Sequence, residues 1–198
     1  MSDSNIWTPP TTNKIITPEY TKHILIPKNE FHDVVKWGCD FSLKKYHTPH
    51  PEYFGADGLM LPELTPYEVI DGEGNLLMNA GITVMWTALI GGVPTYFSNA
   101  TSHIGAGDSS TAAAASQTDL QASTNKVRKA MDATYPSISA QSLLLKSTFT
   151  TSDGNWAWQE WGVFNASSAG TMLNRRVVSL GTKTSSATWV FTVTLTLA

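Results

Sequence analysis

With 198 residues, 41% of them hydrophobic and only 15% charged, the chain is long enough for one ordinary domain or a domain carrying an arm. The charged fraction lies well below the roughly 25% usual for soluble domains, and the chain holds seven Trp. That combination points to surface that meets other protein, because interfaces lose Lys and Glu and gain aromatics; an all-β fold with Thr and Ser faces is the competing explanation. A net charge of −3 argues against general affinity for nucleic acid, which needs clustered Lys and Arg.

The opening MSDSNIWTPP is polar, so no signal peptide is expected. Residues 1–75 read as an extended N-terminal arm rather than a packed domain. Prolines at 9, 10, 18, 27, 49, 51, 62 and 66 each remove a backbone donor and restrict the preceding residue. Between them stand apolar points such as Ile24-Leu25-Ile26, the run ending at Trp37, and Tyr53-Phe54. Such an arm is too aromatic for a disordered tail and is expected to order itself on a protein surface. Trp37, Tyr53 and Phe54 are therefore candidate interface residues. From Glu52 to Glu73 there are six acids and no base, which fits a solvated face or a strip against a basic partner.

A turn at Asp71-Gly72-Glu73-Gly74 precedes Asn75, a plausible N-cap, and Leu77, Gly81, Val84, Met85 and Ala88 recur at helical spacing. The spacing predicts a helix over 76–90, ended by Gly91-Gly92. This stretch also contains the longest apolar run, 82–92, which Thr interrupts and which is too short to cross a bilayer. Strands are expected over 96–104, 139–150 and 156–164, with 118–131 open between a helix and an irregular connection. Simple alternation puts Trp156 and Trp158 on one face of the 156–164 strand and Trp161 and Val163 on the other, so that strand should be buried on both sides. The clearest signal is the last strand, where Trp189, Phe191, Val193, Leu195 and Leu197 alternate with Thr188, Val190, Thr192, Thr194 and Thr196. The expected fold is mainly β: an antiparallel β-sandwich or barrel over 76–198 with one or two helices, preceded by the Pro-rich arm.

Chemistry-bearing residues are few. Gly107-Asp108-Ser109-Ser110 is similar to the GDS block of certain serine hydrolases, but those place Asp and His near the C-terminus, and here His103 precedes Ser109. A polar turn explains the segment more simply. His32, Cys39, His47 and His50 are zinc-capable without a compact spacing, and Cys39, the single cysteine, excludes an intrachain disulfide. Trp156, Trp158 and Trp161 after Asp153-Gly154-Asn155 would suit a sugar platform, except that alternation splits the rings. Arg175-Arg176 starts a strand, and one of the pair should face outward toward another subunit. Glu160 lies among apolar residues, where an unpaired carboxylate costs several kcal/mol; Arg175, Arg176 and Lys183 are its candidate partners. Gly162 signals a close backbone approach or a bulge. No catalytic, cofactor-binding or metal-binding set is expected.

Several pieces stand in a telling order: Ile104-Gly-Ala-Gly-Asp108 with Thr111, Gln117-Thr-Asp-Leu120, Trp156-Ala-Trp-Gln-Glu-Trp-Gly-Val-Phe-Asn165, Met172-Leu-Asn-Arg175, Leu180-Gly-Thr-Lys183 and the Trp189 strand. This order resembles a module of tailed-bacteriophage structural proteins, notably tail-fibre and tail-collar proteins. The stretch from Asn75 to Gly92 is similar to minor capsid and decoration proteins. The resemblance covers some 120 residues and implies assembly rather than catalysis. It implies a capsid decoration or minor capsid protein that binds the major capsid protein, or other virion proteins, and neighbouring copies. A homo-oligomer, a trimer foremost, assembled in a host cytoplasm and residing in the virion, is the accompanying expectation, with no nucleic-acid or membrane partner. A tail fibre, collar, adaptor or baseplate component is the nearest alternative, and a carbohydrate-binding β-sandwich module the next. Trp156, Trp158, Trp161, Arg175 and Arg176 join Trp37, Tyr53 and Phe54 as expected interface residues.

Overall fold

The computed structural model describes residues 36–47 and 65–198. Two antiparallel sheets form within the unit spanning 34–198. One has the order β2-β1-β10-β7-β6, built from β1 (Trp37–His47), β2 (Glu68–Glu73), β6 (Ser137–Ser139), β7 (Ser142–Phe149) and β10 (Ala187–Leu197). The other, β3-β9-β8-β4-β5, contains β3 (Leu76–Leu77), β4 (His103–Gly107), β5 (Lys126–Ala130), β8 (Ala157–Phe164) and β9 (Met172–Thr182). The expectation of a mainly β, two-sheet architecture is met, and the described residues contain one helix, α1 (Asn79–Leu89).

The spine of the first sheet is the β1–β10 pair, in register from Trp37 opposite Leu197 to His47 opposite Ala187. Alternation accounts for it. Cys39, Phe41, Leu43 and Lys45 point inward from β1, and Trp189, Phe191, Val193 and Leu195 from β10, all buried, while Thr192, Thr194 and Thr196 are half-exposed. The expected boundary at residue 75 therefore moves. Prolines on either side made 37–47 look like arm, yet β1 is an interior strand of the sheet and β2 pairs with it from Asp40 opposite Glu73 to Lys45 opposite Glu68. Tyr53, Phe54, His32 and His50 lie outside the described residues.

The aromatic centre of the core is two groups of ring contacts between the sheets. Phe149 meets Trp158 at 4.7 Å, Trp158 meets Trp189 at 4.9 Å, Trp161 meets Phe191 at 5.2 Å and Phe41 meets Trp161 at 5.4 Å. Trp189 and Phe191 lie on one face of β10, so Trp158 and Trp161 both turn toward the same core. Plain alternation fails here because the pairing of β8 with β9 shifts register between Trp158 and Glu160. From Trp158 opposite Gly181 to Glu160 opposite Val177, β8 advances two residues and β9 four, and such an irregularity kinks the ladder and re-aims the side chains beside it. Beyond the bulge, Glu160 and Phe164 point to the opposite side, where Phe164 packs with Met78, Leu120 and Met172. The strand is buried on both faces as expected, with a different partition of residues.

Two further expectations shift. The helix begins at Asn79 rather than 76; its N-cap is Met78, with no side-chain cap. Leu76 and Leu77 instead pair with Arg175 and Asn174 of β9. Within 96–104 only the last two residues belong to a strand, and 118–131 is irregular until β5. No helix among the described residues is long and apolar enough to cross a membrane.

Candidate interaction site

The motif residues separated in sequence converge on one buried ion pair. Glu160 and Arg175 are both fully buried, with Arg175 Nε donating to Glu160 Oε2 at 2.6 Å. Oε2 also accepts from the backbone N–H of Gln121 at 3.0 Å, and Oε1 accepts from that of Ala122 at 2.7 Å. The guanidinium donates onward to Gln117 Oε1 at 2.9 Å and to the Thr111 carbonyl at 2.8 Å. A buried charge is tolerable only when so completely paired. Residues 111–122 have no regular strand or helix of their own, and this network fastens them to the sheet together with the Arg128–Asp119 ion pair and Leu120 packed on Phe164. Glycine makes the approach feasible: a Cβ on Gly107 would lie 2.7 Å from Glu160 Oε1, and one on Gly162 would lie 2.6 Å from the Asn174 carbonyl. The close approach expected at Gly162 is thus present.

This placement corrects the expected interface. Trp158, Trp161 and Arg175 are fully buried inside the fold and cannot face a partner. Arg176, expected to serve a contact between subunits, instead donates to the Gly74 carbonyl at 2.7 Å within the same chain. Trp156 is half-buried against the core. Trp37 is half-exposed, its indole N–H donating to Asn75 Oδ1 at 2.7 Å. With Met85, Phe97, Leu143, Leu195 and Leu197 it lines an apolar groove of about 160 Å³ between α1 and the end of the first sheet.

The other candidate chemistries separate in space. Ser109 Oγ is engaged with Thr111, accepting from its backbone N–H and donating to its hydroxyl. His103, at the far end of β4, has Nδ1 against the Thr101 carbonyl at 2.8 Å. Cys39 is buried in the core, where desolvation foremost pushes its thiol up to about 12, and His47 stacks on Tyr67. No trio of His, Cys, Asp or Glu among the described residues is placed to hold a metal ion. Trp158 and Trp161 offer no open ring for a sugar.

Lys183 is a further buried cation beside Arg175 and Lys45, distinct from the expected partnership with Glu160. Its Nζ donates to the Thr150 carbonyl at 2.6 Å and to Asn155 Oδ1 at 3.1 Å, pinning the 150–155 turn. Burial lowers its pKa to about 8, with Asp153 opposing and Lys129 reinforcing that shift. Burial alone would raise the Asp153 carboxyl, but hydrogen bonds from Lys129 and Thr150 hold it below the ordinary value. The folded chain releases the Lys183 proton near pH 8 and the unfolded chain near 10.5, so between these values the unfolded state binds more protons. Stability contributed through this group rises as pH climbs through that window. Urea unfolding of wild type and Lys183→Met, compared from pH 7.5 to 10.5 (on the order of the window set by the two pKa values), should show wild type gaining relative to the variant. A constant difference would mean that Lys183 titrates as an ordinary lysine.

What composition did not single out is the outer side of α1. Residues 74–107 contain no Asp, Glu, Lys or Arg. A helix apolar around its whole circumference is normally buried, yet Gly81 is the sole fully buried residue of α1, its Cα side pressed on the Leu173 backbone. Trp86 is 61% exposed, Leu89 71%, Ile90 83% and Val93 88%. Spacing i, i+3, i+4 puts the first three on one face, and Tyr96, 50% exposed, follows with its hydroxyl donating to the Gly92 carbonyl. The signal available in the sequence was the uncharged run itself.

No protein-family model, curated protein or solved structure matches the chain.

Proposed function

We propose that this chain is a non-enzymatic structural component of a tailed-bacteriophage virion, a capsid decoration or minor capsid protein that binds the major capsid shell and neighbouring copies. The observation that carries this reading is the exposed, uncharged α1 face, a surface that solvent alone does not favour. The ion-pair lock supports it from another side. The residues of the tail-fibre-like and collar-like order, Thr111, Gln117, Glu160 and Arg175, serve to hold a loop rigidly on a sheet. Rigidity without a catalytic constellation among the described residues suits a block repeated on a particle. That same clustering favours a second reading, a tail fibre, collar, adaptor or baseplate component.

Separation of purified virions into heads and tails, followed by quantification of this chain against the major coat protein, tests the proposal. Copies in the hundreds travelling with heads support decoration of the shell. A few to a few dozen travelling with tails would move the chain to the tail machinery. Absence from both sinks the structural reading.

A further inference from the structure

We infer that the α1 face is where one copy of this chain meets another, so that the helix packs against the same helix of symmetry-related copies. The inference rests on the structural reading above and names the partner of its carrying surface.

The size of the face argues first. Two rings at least half exposed and three aliphatic side chains at 71–88% exposure present on the order of 600 Å² of apolar surface. A monomer rarely leaves more than a few hundred Å² uncovered, and a stable interface needs about 800 Å² from each partner. The neighbouring groove beside Met85 extends this apolar surface, with Leu197, itself 41% exposed, at its rim.

Charge argues second. The outer face of the first sheet carries Asp40, Asp71 and Glu73 around one open depression, so two copies meeting there would bring like charges together. A face free of charge over 74–107 is able to oppose itself without repulsion, which is what a symmetric contact requires. A lipid surface suits it poorly, because helices that lie on membranes carry Lys or Arg along their polar face and α1 has neither. A differently composed protein partner is an outcome of the test.

The experiment is light scattering on size-fractionated full-length protein at micromolar concentration, with sedimentation velocity as a second readout. Wild type is expected as a discrete oligomer. The double variant Ile90→Asp/Val93→Asp changes two side chains that are 83% and 88% exposed, so its circular dichroism and melting should match wild type while its mass falls to that of one chain. A dissociation constant weakened at least hundred-fold is the expected reading. Ser123→Asp, on an exposed turn, should leave the oligomer intact. A monomeric wild type overturns the inference, as does an oligomer that survives the double variant. A wild-type monomer that is nonetheless found on virions assigns the face to another virion protein and leaves the proposed function standing. An α1-dependent oligomer absent from virions does the reverse.

Discussion

Replacing Arg175 with Met is expected to cost about 3–5 kcal/mol of folding stability, because it leaves the Glu160 carboxylate buried without a counter-charge. The two backbone N–H groups of Gln121 and Ala122 remain, and they do not replace a guanidinium. For a domain of this size the loss corresponds to roughly 10 °C in Tm. Glu160→Gln/Arg175→Met should recover part of it, since the amide is neutral and its one oxygen still accepts from one of the two loop N–H groups. Urea titration of the three proteins decides the matter; Arg175→Met within about 1 kcal/mol of wild type would show that the pair is not what holds residues 111–122. Hydrogen exchange at Gln121 and Ala122 should accelerate in the single variant more than at β10 amides.

Trp161→Ala is the second large effect, expected at about 3–5 kcal/mol from lost burial and the cavity left between Phe41 and Phe191. Trp161→Phe should cost far less, because the indole N–H has no acceptor among the described residues and removing it strands nothing. A double-mutant cycle should give about 0.5–1.5 kcal/mol for Trp161 with Phe191 and a like value for Trp158 with Trp189. Both couplings are required if the bulge turns the two Trp toward one core. A null result for either pair would return the strand to plain alternation.

The contrast between β10 and β1 shows what a sequence exposes and what it hides. In β10 apolar residues alternate with Thr except at Val190, and the half-buried strand was legible at once. Cys39, Phe41 and Leu43 alternate just as cleanly, but Pro27 upstream and Pro49 and Pro51 downstream make the surroundings read as arm; only the long-range pairing with β10 reveals a strand. Glu160 announced its need for a partner through burial cost, and Arg175 meets it. The direction of the two Trp was not legible, since a bulge leaves no composition signature beyond a nearby glycine. Residues 108–125 were opaque for a related reason: their order comes from side chains and backbone of distant strands, not from local periodicity. The α1 face was overlooked because helical spacing explains why apolar residues recur, not which of them the chain itself covers.

The topology of the first sheet carries a consequence for how the molecule comes into being. Its two longest strands, β1 and β10, are neighbours in space and about as far apart in sequence as the described residues permit, bracketing every other strand. β10 also separates β1 from β7, so until it arrives the sheet is two fragments with nothing between them. A nascent chain lacking residues 187–197 has no means of closing that gap, and the second sheet has half a core to pack on. Such non-local closure makes folding slow, on the scale of milliseconds to seconds, and leaves apolar strand edges open in the interval. The chain is therefore at its most vulnerable until β10 is in place between β1 and β7, which makes the temperature during folding decisive for its soluble yield.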